Sequence, residues 1–478
     1  MSRSFDLVLR NGTVVTPSGR VQTDVGVIGG RIAAIQDLST AKAASTFDAK
    51  GLHVLPGVID TQCHFREPGL THKEDLGSGS ASAALGGVTG FFEMPNTNPS
   101  TDSAERLAWK VARAKETSWV DFAFYVGATM ENADSLGTLE QGEGVVGIKM
   151  FCGSSTGSLL VDKPADQLRV FRSGKRRVAC HSEDEARLKE RKPLFEGKSV
   201  HSHPDWRDEE CAVMSTASIL ALARQANRKL HVLHVTTAGE LPLLEANKDL
   251  ASFETTPQHL TLAAPECYDR LGTLAQMNPP IREARHREAL WEAVRSGMLD
   301  VLATDHAPHT LEEKAKPWPQ SPSGMPGVQT LVPVMLTHVH AGRLSLERFV
   351  DLTSAGPARV FTMRRKGRLA VGFDADFTLV DLAAKVTITN AWSKSRCGWT
   401  PFDGFEATGW PMATVVRGQF VMRDGALVGP LWRLRKEKRF IYQVDRDVYV
   451  WGDGKNVVWG ATWRMLDQLM EHVAAIGR

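Results

Sequence analysis

The 478-residue chain holds only six cysteines, and no two form a C-x-x-C pair. Thiols as scattered as Cys63, Cys152, Cys180, Cys211, Cys267 and Cys397 argue against a zinc ribbon or a disulfide framework, so reduced thiols are expected. No stretch approaches the roughly 18 uninterrupted apolar residues that a membrane span needs. The opening "MSRSFDLVLRNGTVV" lacks the continuous apolar core of a signal peptide, and a cytoplasmic location is expected. A formal net charge of +2 gives no global drive toward nucleic acid or a membrane surface. What remains is a globular composition, 42% hydrophobic and 23% charged, in a chain long enough for a barrel plus a smaller domain.

Two textures divide the chain. Residues 1–53 read as short strands broken by turns, in "DLVLRNGTVV", "DVGVIGGRIAAI" and "TFDAKGLHVL". The same texture returns over 365–430, in "GRLAVGFDADFTLVDL" and "ATVVRGQFVMRDGALV". One small β-sandwich domain built from both chain ends is the expectation. Between them, over 54–364, eight apolar runs alternate with helix-like stretches: "VLPGVID", "VTGFFEMP", "VDFAFYVGA", "GVVGIKMF", "RRVACHS", "LHVLHVTT", "ASFETTP" and "LDVLATDH". Eight β-then-α units point to a closed (β/α)8 TIM-type barrel. Residues 431–478 differ again, with a basic opening "RLRKEKRF" and Trp432, Trp451, Trp459 and Trp463. They read as a Trp-rich C-terminal extension packed on the surface, with a protein-interaction tail as the alternative.

Catalytic groups of such a barrel lie at the C-terminal ends of its strands. Strand one ends in Asp60, Gln62, His64 and Arg66, which alternation puts on one side. Later strand ends supply Asn96, Lys149, His181, His234 and Asp305, with His306 and His309 just beyond. Singly, a histidine after an apolar run is more often a hydrogen-bonded core or loop residue. Jointly, His64, Lys149, His181, His234 and Asp305 fall at five strand ends, and imidazole and carboxylate are the usual zinc ligands. A lysine kept neutral by nearby positive charge can add carbon dioxide, and the carbamate so formed is an anion able to bridge two metals. His201 and His203, in "VHSHPDWRDEE", resemble a ligand pair but fall in a polar stretch, where a loop or helix-capping role is expected. The run "KPWPQSPSGMPG" reads as a rigid loop near the mouth of the site.

The motifs "HFREPG", "EMPNTNP", "QMNPPIR", "TDHAPHT" and "SGMPGVQTLVP" carry a resemblance to the cyclic amidohydrolases of the amidohydrolase superfamily, most closely the dihydroorotases, over nearly the whole chain to about residue 430. The resemblance implies hydrolysis or closure of a cyclic amide, here the interconversion of carbamoyl-aspartate and dihydroorotate in pyrimidine synthesis. It implies one or two zinc ions and an N-carboxylated Lys149, with His64, His181, His234 and Asp305 as further ligands. Asp305 is the implied catalytic proton carrier. Arg66, Asn96 and His309 are the implied carboxylate-binding set, with Asn278 beside the ring. A small-molecule substrate and a homo-oligomer are expected, with association with another pyrimidine-pathway enzyme left open. The alternatives are allantoinase, dihydropyrimidinase or hydantoinase activity, or a non-catalytic partner subunit.

One residue departs from the pattern. Where the family has His-x-His, this chain reads Gln62-Cys63-His64. An amide oxygen is a harder and weaker zinc ligand than imidazole. Gln62 either ligates through that oxygen, or hydrogen-bonds a ligand or water, or marks a lost activity. A decayed site loses several parts together, and here the others are present, so an active enzyme is expected.

Overall fold

The computed structural model describes residues 4–154, 159–428, 438–441, 448–452 and 457–461. The first five strands are β1 (Phe5–Thr16), β2 (Gly19–Ile28), β3 (Arg31–Gln36), β4 (Ala43–Asp48) and β5 (His53–Pro56). They join four late strands, β14 (Phe377–Thr387), β15 (Glu406–Val416), β16 (Gln419–Arg423) and β17 (Ala426–Leu427), in one nine-stranded sheet. β1 branches it: its first half pairs β4, its second half pairs β5, and β5 pairs β14 across the chain ends. Leu7, Val25, Ile32, Phe377 and Val415 pack inside.

Between these ends run eight parallel strands: β6 (Val58–Cys63), β7 (Val88–Glu93), β8 (Asp121–Gly127), β9 (Val145–Phe151), β10 (Val178–His181), β11 (Leu230–Val232), β12 (Ala251–Thr255) and β13 (Val301–Leu302). All eight expected runs are strands in sequence order. A bridge between Cys63 and His306 brings the last strand end beside the first. Every residue of these strands is buried, because helices cover the outside of a parallel barrel; its strands therefore read as continuous apolar runs. The covering helices form where expected. Helix Leu76–Leu85 starts on a capping box at Asp75. Helix Ala104–Thr117 starts on Ser103 and buries Leu107, Val111 and Ala114 at helical spacing.

The run "VLPGVID" contains two strands rather than one. His53–Pro56 belongs to the small sheet and Val58–Cys63 to the barrel, with the chain turning between sheets at Gly57. A Cβ at Gly57 would lie 2.3 Å from Thr89 Oγ1 and 2.9 Å from Asp376 Cβ, so only glycine fits this close approach. Below it, Lys366 Nζ lies 2.5 Å from both Asp121 and Asp376, and Arg417 reaches Asp374 at 2.9 Å. This buried charge cluster ties the small sheet to the first residue of β8. All six cysteines are free and buried. No described helix is long and apolar enough to cross a membrane. Of the Trp-rich extension, Lys438–Ile441, Val448–Gly452 and Val457–Ala461 form an antiparallel sheet; the remainder of 431–478 lies outside the described residues.

Candidate active site

The strand ends deliver their side chains to one narrow cleft. Gln62, His64, Arg66, Asn96, Lys149, His181, His234, Asn278 and Asp305 all line it, with Phe151, Ala307, Ser323 and Gly324. A larger cavity at the opposite end of the barrel, beside Val15, Pro56 and Glu347, gathers no imidazole. Three residues of the cleft leave their strands in the left-handed region: Arg66 at φ 64°, His234 at φ 36° and Asp305 at φ 47°. That conformation is uncommon without glycine and is characteristic of functional sites.

Asp305 Oδ1 is approached twice. Gln62 Nε2 donates to it at 3.0 Å, and His64 Nε2 lies 3.0 Å away. His64 Nδ1 stands 2.7 Å from Asn96 Oδ1, a second acceptor. Burial holds the His64 imidazole below its ordinary pKa. The neutral ring has one hydrogen for two facing oxygens, so one ring lone pair is turned on an acceptor. Across the cleft two more imidazoles meet. His181 Nε2 meets Glu183 Oε2 at 2.7 Å, and its Nδ1 faces His234 Nε2 at 3.0 Å. Arg207 pairs with Glu183, whose carboxyl is held down to about 2 against the opposing cost of burial, chiefly by that guanidinium and then by His181. A carboxylate there fixes the hydrogen on His181 Nε2 and turns the Nδ1 lone pair toward His234. His234 is itself held well below its usual value by burial, and its Nδ1 has no partner.

The encounter at His64 is what a bound cation relieves, and the donor set of imidazole and carboxylate fits a divalent ion. Among the described residues no three His, Cys, Asp or Glu side chains converge as a ready cage. Lys149 stands between the pairs: its charge reaches His64, His181 and His234, and it feels Asp305 in turn. It is 1% exposed, and burial lowers its ammonium to about 8. Its Nζ makes no hydrogen bond or ion pair among the described residues and rests 4.3 Å from the Phe151 ring centre. Gln62 Oε1 is buried and also lacks a partner.

Arg66 is the other unusual charge. It is 1% exposed, yet no carboxylate lies within ion-pair distance of it among the described residues. Its local acids are engaged elsewhere, Glu67 with Arg113 and Asp75 with Arg396. Arg66 Nε donates to Pro308 O at 3.2 Å, and Nη2 lies 3.2 Å from His309 Nε2. Burial lowers the guanidinium to about 10. His309 does not itself line the cleft. It sits behind Arg66 with Nδ1 3.0 Å from Lys73 Nζ and Nε2 3.1 Å from Ser323 O, and burial drops its imidazole to about 3.

Two further residues stand near the site. His203, expected in a loop or capping role, caps the helical turn Val200–Ser202 and is fully buried; its Nε2 lies 3.1 Å from Asn278 Oδ1, and its ring packs 4.9 Å from Trp318. His201 does lie at the surface, paired with Asp269 at 2.8 Å. Glu183 was not read from the sequence, and its place two residues after His181, just past the strand end, was the available signal.

The amidohydrolase family model matches residues 53–421. A dihydroorotase of Halobacterium salinarum is 38% identical over 426 residues, covering 87% of this chain and 96% of its own. An allantoinase of Deinococcus radiodurans is 35% identical over 456 residues, covering 91% of this chain and 99% of its own. Among solved structures, the L-hydantoinase (dihydropyrimidinase) of Arthrobacter aurescens superposes with a TM-score of 0.85 at 30% identity, covering 89% of this chain and 98% of its own. With the barrel, the cleft at its strand ends and matches of this extent, the chain belongs to the amidohydrolase family.

Proposed function

We propose that the protein is a dihydroorotase, interconverting N-carbamoyl-L-aspartate plus a proton with L-dihydroorotate plus water. The observation that carries this reading is Arg66, a buried guanidinium at the cleft with no carboxylate of its own among the described residues. A buried cation held only by a carbonyl and an imidazole is completed by an anionic ligand. Dihydroorotate carries a ring carboxylate, whereas allantoin, dihydrouracil and hydantoin do not.

His64, Lys149 as its carbamate, His181, His234 and Asp305 would hold zinc, with Gln62 at the place of a sixth ligand. When bound, the metal would polarise the ring amide and activate water. The chain's own residues do the rest. Arg66 and Asn96 grip the carboxylate, with His309 buttressing the guanidinium from behind. Asn278 faces the ring. In the hydrolytic direction Asp305 takes the proton of the attacking water and hands it to the leaving ring nitrogen. Gln62 and His64 engage its Oδ1, which leaves Oδ2 for that proton. Gln62 thus keeps a role, orienting Asp305, even where it gives no bond to metal. Lys149, lowered to about 8 by burial, is partly a free amine near neutral pH. Its addition to carbon dioxide, with loss of one proton, gives the carbamate.

The test is a comparison of turnover on dihydroorotate, allantoin, dihydrouracil and hydantoin by one preparation. Dihydroorotate is expected to have the highest kcat/KM. A higher value on any neutral ring would overturn the assignment.

A further inference from the structure

Lys314 closes the short helix Leu311–Lys314 beyond strand eight and is 0% exposed. Its Nζ donates to three backbone carbonyls, Gln276 O at 2.9 Å, Pro322 O at 2.9 Å and Gly324 O at 3.1 Å. An ammonium has three donors and no acceptor, so each of its hydrogens has a partner. Among the described residues no carboxylate lies within ion-pair distance. The cation is therefore balanced by carbonyl dipoles alone, in a place where an apolar side chain would avoid the desolvation of a charge.

The three carbonyls belong to two different walls of the cleft. Gln276 lies two residues before Asn278, on the loop after strand seven. Pro322 and Gly324 flank Ser323, on the loop after strand eight, and Asn278, Ser323 and Gly324 all line the cleft. A second set of bonds follows the same line. Gly324 N donates to Gln276 O at 2.9 Å, and Gln276 Nε2 donates to Ser321 O at 2.8 Å and to Ser323 Oγ at 3.0 Å. The close approach at Gly324 leaves no room for a side chain in the joint. Gly324 has φ 139°, and its Cβ position is already 2.4 Å from Ala307 O.

We propose that Lys314 is a positioning residue that sets the width of the substrate cleft by clamping the strand-seven loop to the strand-eight loop. Without the ammonium, three loop carbonyls lose a buried donor at once; Gln276 O keeps Gly324 N, while Pro322 O and Gly324 O are left to water entering the joint. The two walls then separate, and Asn278 and Gly324 lose their fixed spacing. Asp305 stands at the root of the strand-eight loop, where Gln62 and His64 engage its carboxylate from strand one, and keeps its place. The effect therefore falls on substrate binding rather than on the chemical step.

The proposal rests on this cleft being the substrate site, so its test has one arm that needs no substrate. Hydrogen exchange of Lys314→Met is compared with wild type. Amides of 316–324 and of 276–278 are expected to exchange at least about tenfold faster, with the helix Ala104–Thr117 unchanged. On whichever cyclic amide the wild type turns over, KM rises about tenfold or more and kcat stays within about threefold. Gln276→Ala removes only the side-chain part of the same joint, and gives the smaller change in the same amides should Lys314→Met fail to fold. Unchanged exchange in both loops, or acceleration spread evenly over the chain, would overturn the clamp. A fall in kcat with KM unchanged would do so as well. Absence of turnover on every cyclic amide would refute the proposed function and leave the exchange arm to decide Lys314.

Discussion

Replacing Arg66 with Met separates binding from stability with opposite signs. The guanidinium is held at about 10, against 12.5 for an ordinary one, chiefly by burial. That difference corresponds to about 3 kcal/mol of destabilisation of the folded, charged state. The sign follows from linkage. A base whose folded pKa lies below its unfolded value weakens the fold at every pH below the folded pKa, and the penalty fades only as pH rises through about 10 toward 12.5. Met removes that cost and forfeits the bonds from Nε to Pro308 O and from Nη2 to His309 Nε2, a loss of about 2 kcal/mol together. The net expectation is a stabilisation of about 1 kcal/mol near neutral pH, read from the urea midpoint. Binding goes the other way. A substrate carboxylate loses its charge-assisted partner in a water-poor cleft, at about 3 kcal/mol or roughly a 10²-fold fall in kcat/KM on dihydroorotate. Any residual turnover of dihydrouracil, which has no carboxylate, should change less than about threefold. An equal loss on both substrates, or a variant clearly less stable than wild type, would rule out this role for Arg66.

Three further outcomes follow from the same geometry. Gln62→His replaces an amide whose Oε1 has no partner with an imidazole, so metal retained after dialysis against a chelator should rise by about tenfold or more; lower retention would contradict the reading of that position. Glu183→Gln weakens the acceptor that fixes the His181 hydrogen, and zinc affinity should fall about 10- to 100-fold by competition titration, whereas an unchanged affinity would detach Glu183 from the site. Lys366→Met leaves Arg417 to face Asp121, Asp374 and Asp376 at the seam between sheets without that ammonium, which should cost about 3 kcal/mol in urea unfolding while kcat of the folded fraction holds.

The alternation of the eight runs was enough to read the barrel, because a parallel sheet buried on both faces leaves apolar segments that polar loops and amphipathic helices separate cleanly. The break at Gly57 was not legible. An apolar run looks the same whether it serves one sheet or two, and only the approach of Thr89 and Asp376 to Gly57 shows where it divides. In the cleft, the residues read from strand ends converge because strand direction decides where they point. His309 falls a layer further back, since it follows the strand end by four residues on a turning loop. What no local pattern could reveal is partnership. That Arg66 lacks a carboxylate depends on where Arg113 and Arg396 take Glu67 and Asp75. That His203 touches Asn278, or Lys314 touches Gln276, depends on loops distant in the chain meeting over the barrel mouth.

The proposed activity is that of a metal-dependent enzyme acting on a carboxylate-bearing cyclic amide, in spite of the glutamine at its first ligand position. Metal content per chain and dihydroorotate turnover decide it when both are measured in one preparation, before chelation, after it, and after zinc is returned. Turnover is expected to disappear with the metal and to come back with zinc. Metal held firmly with no turnover of dihydroorotate would contradict that activity.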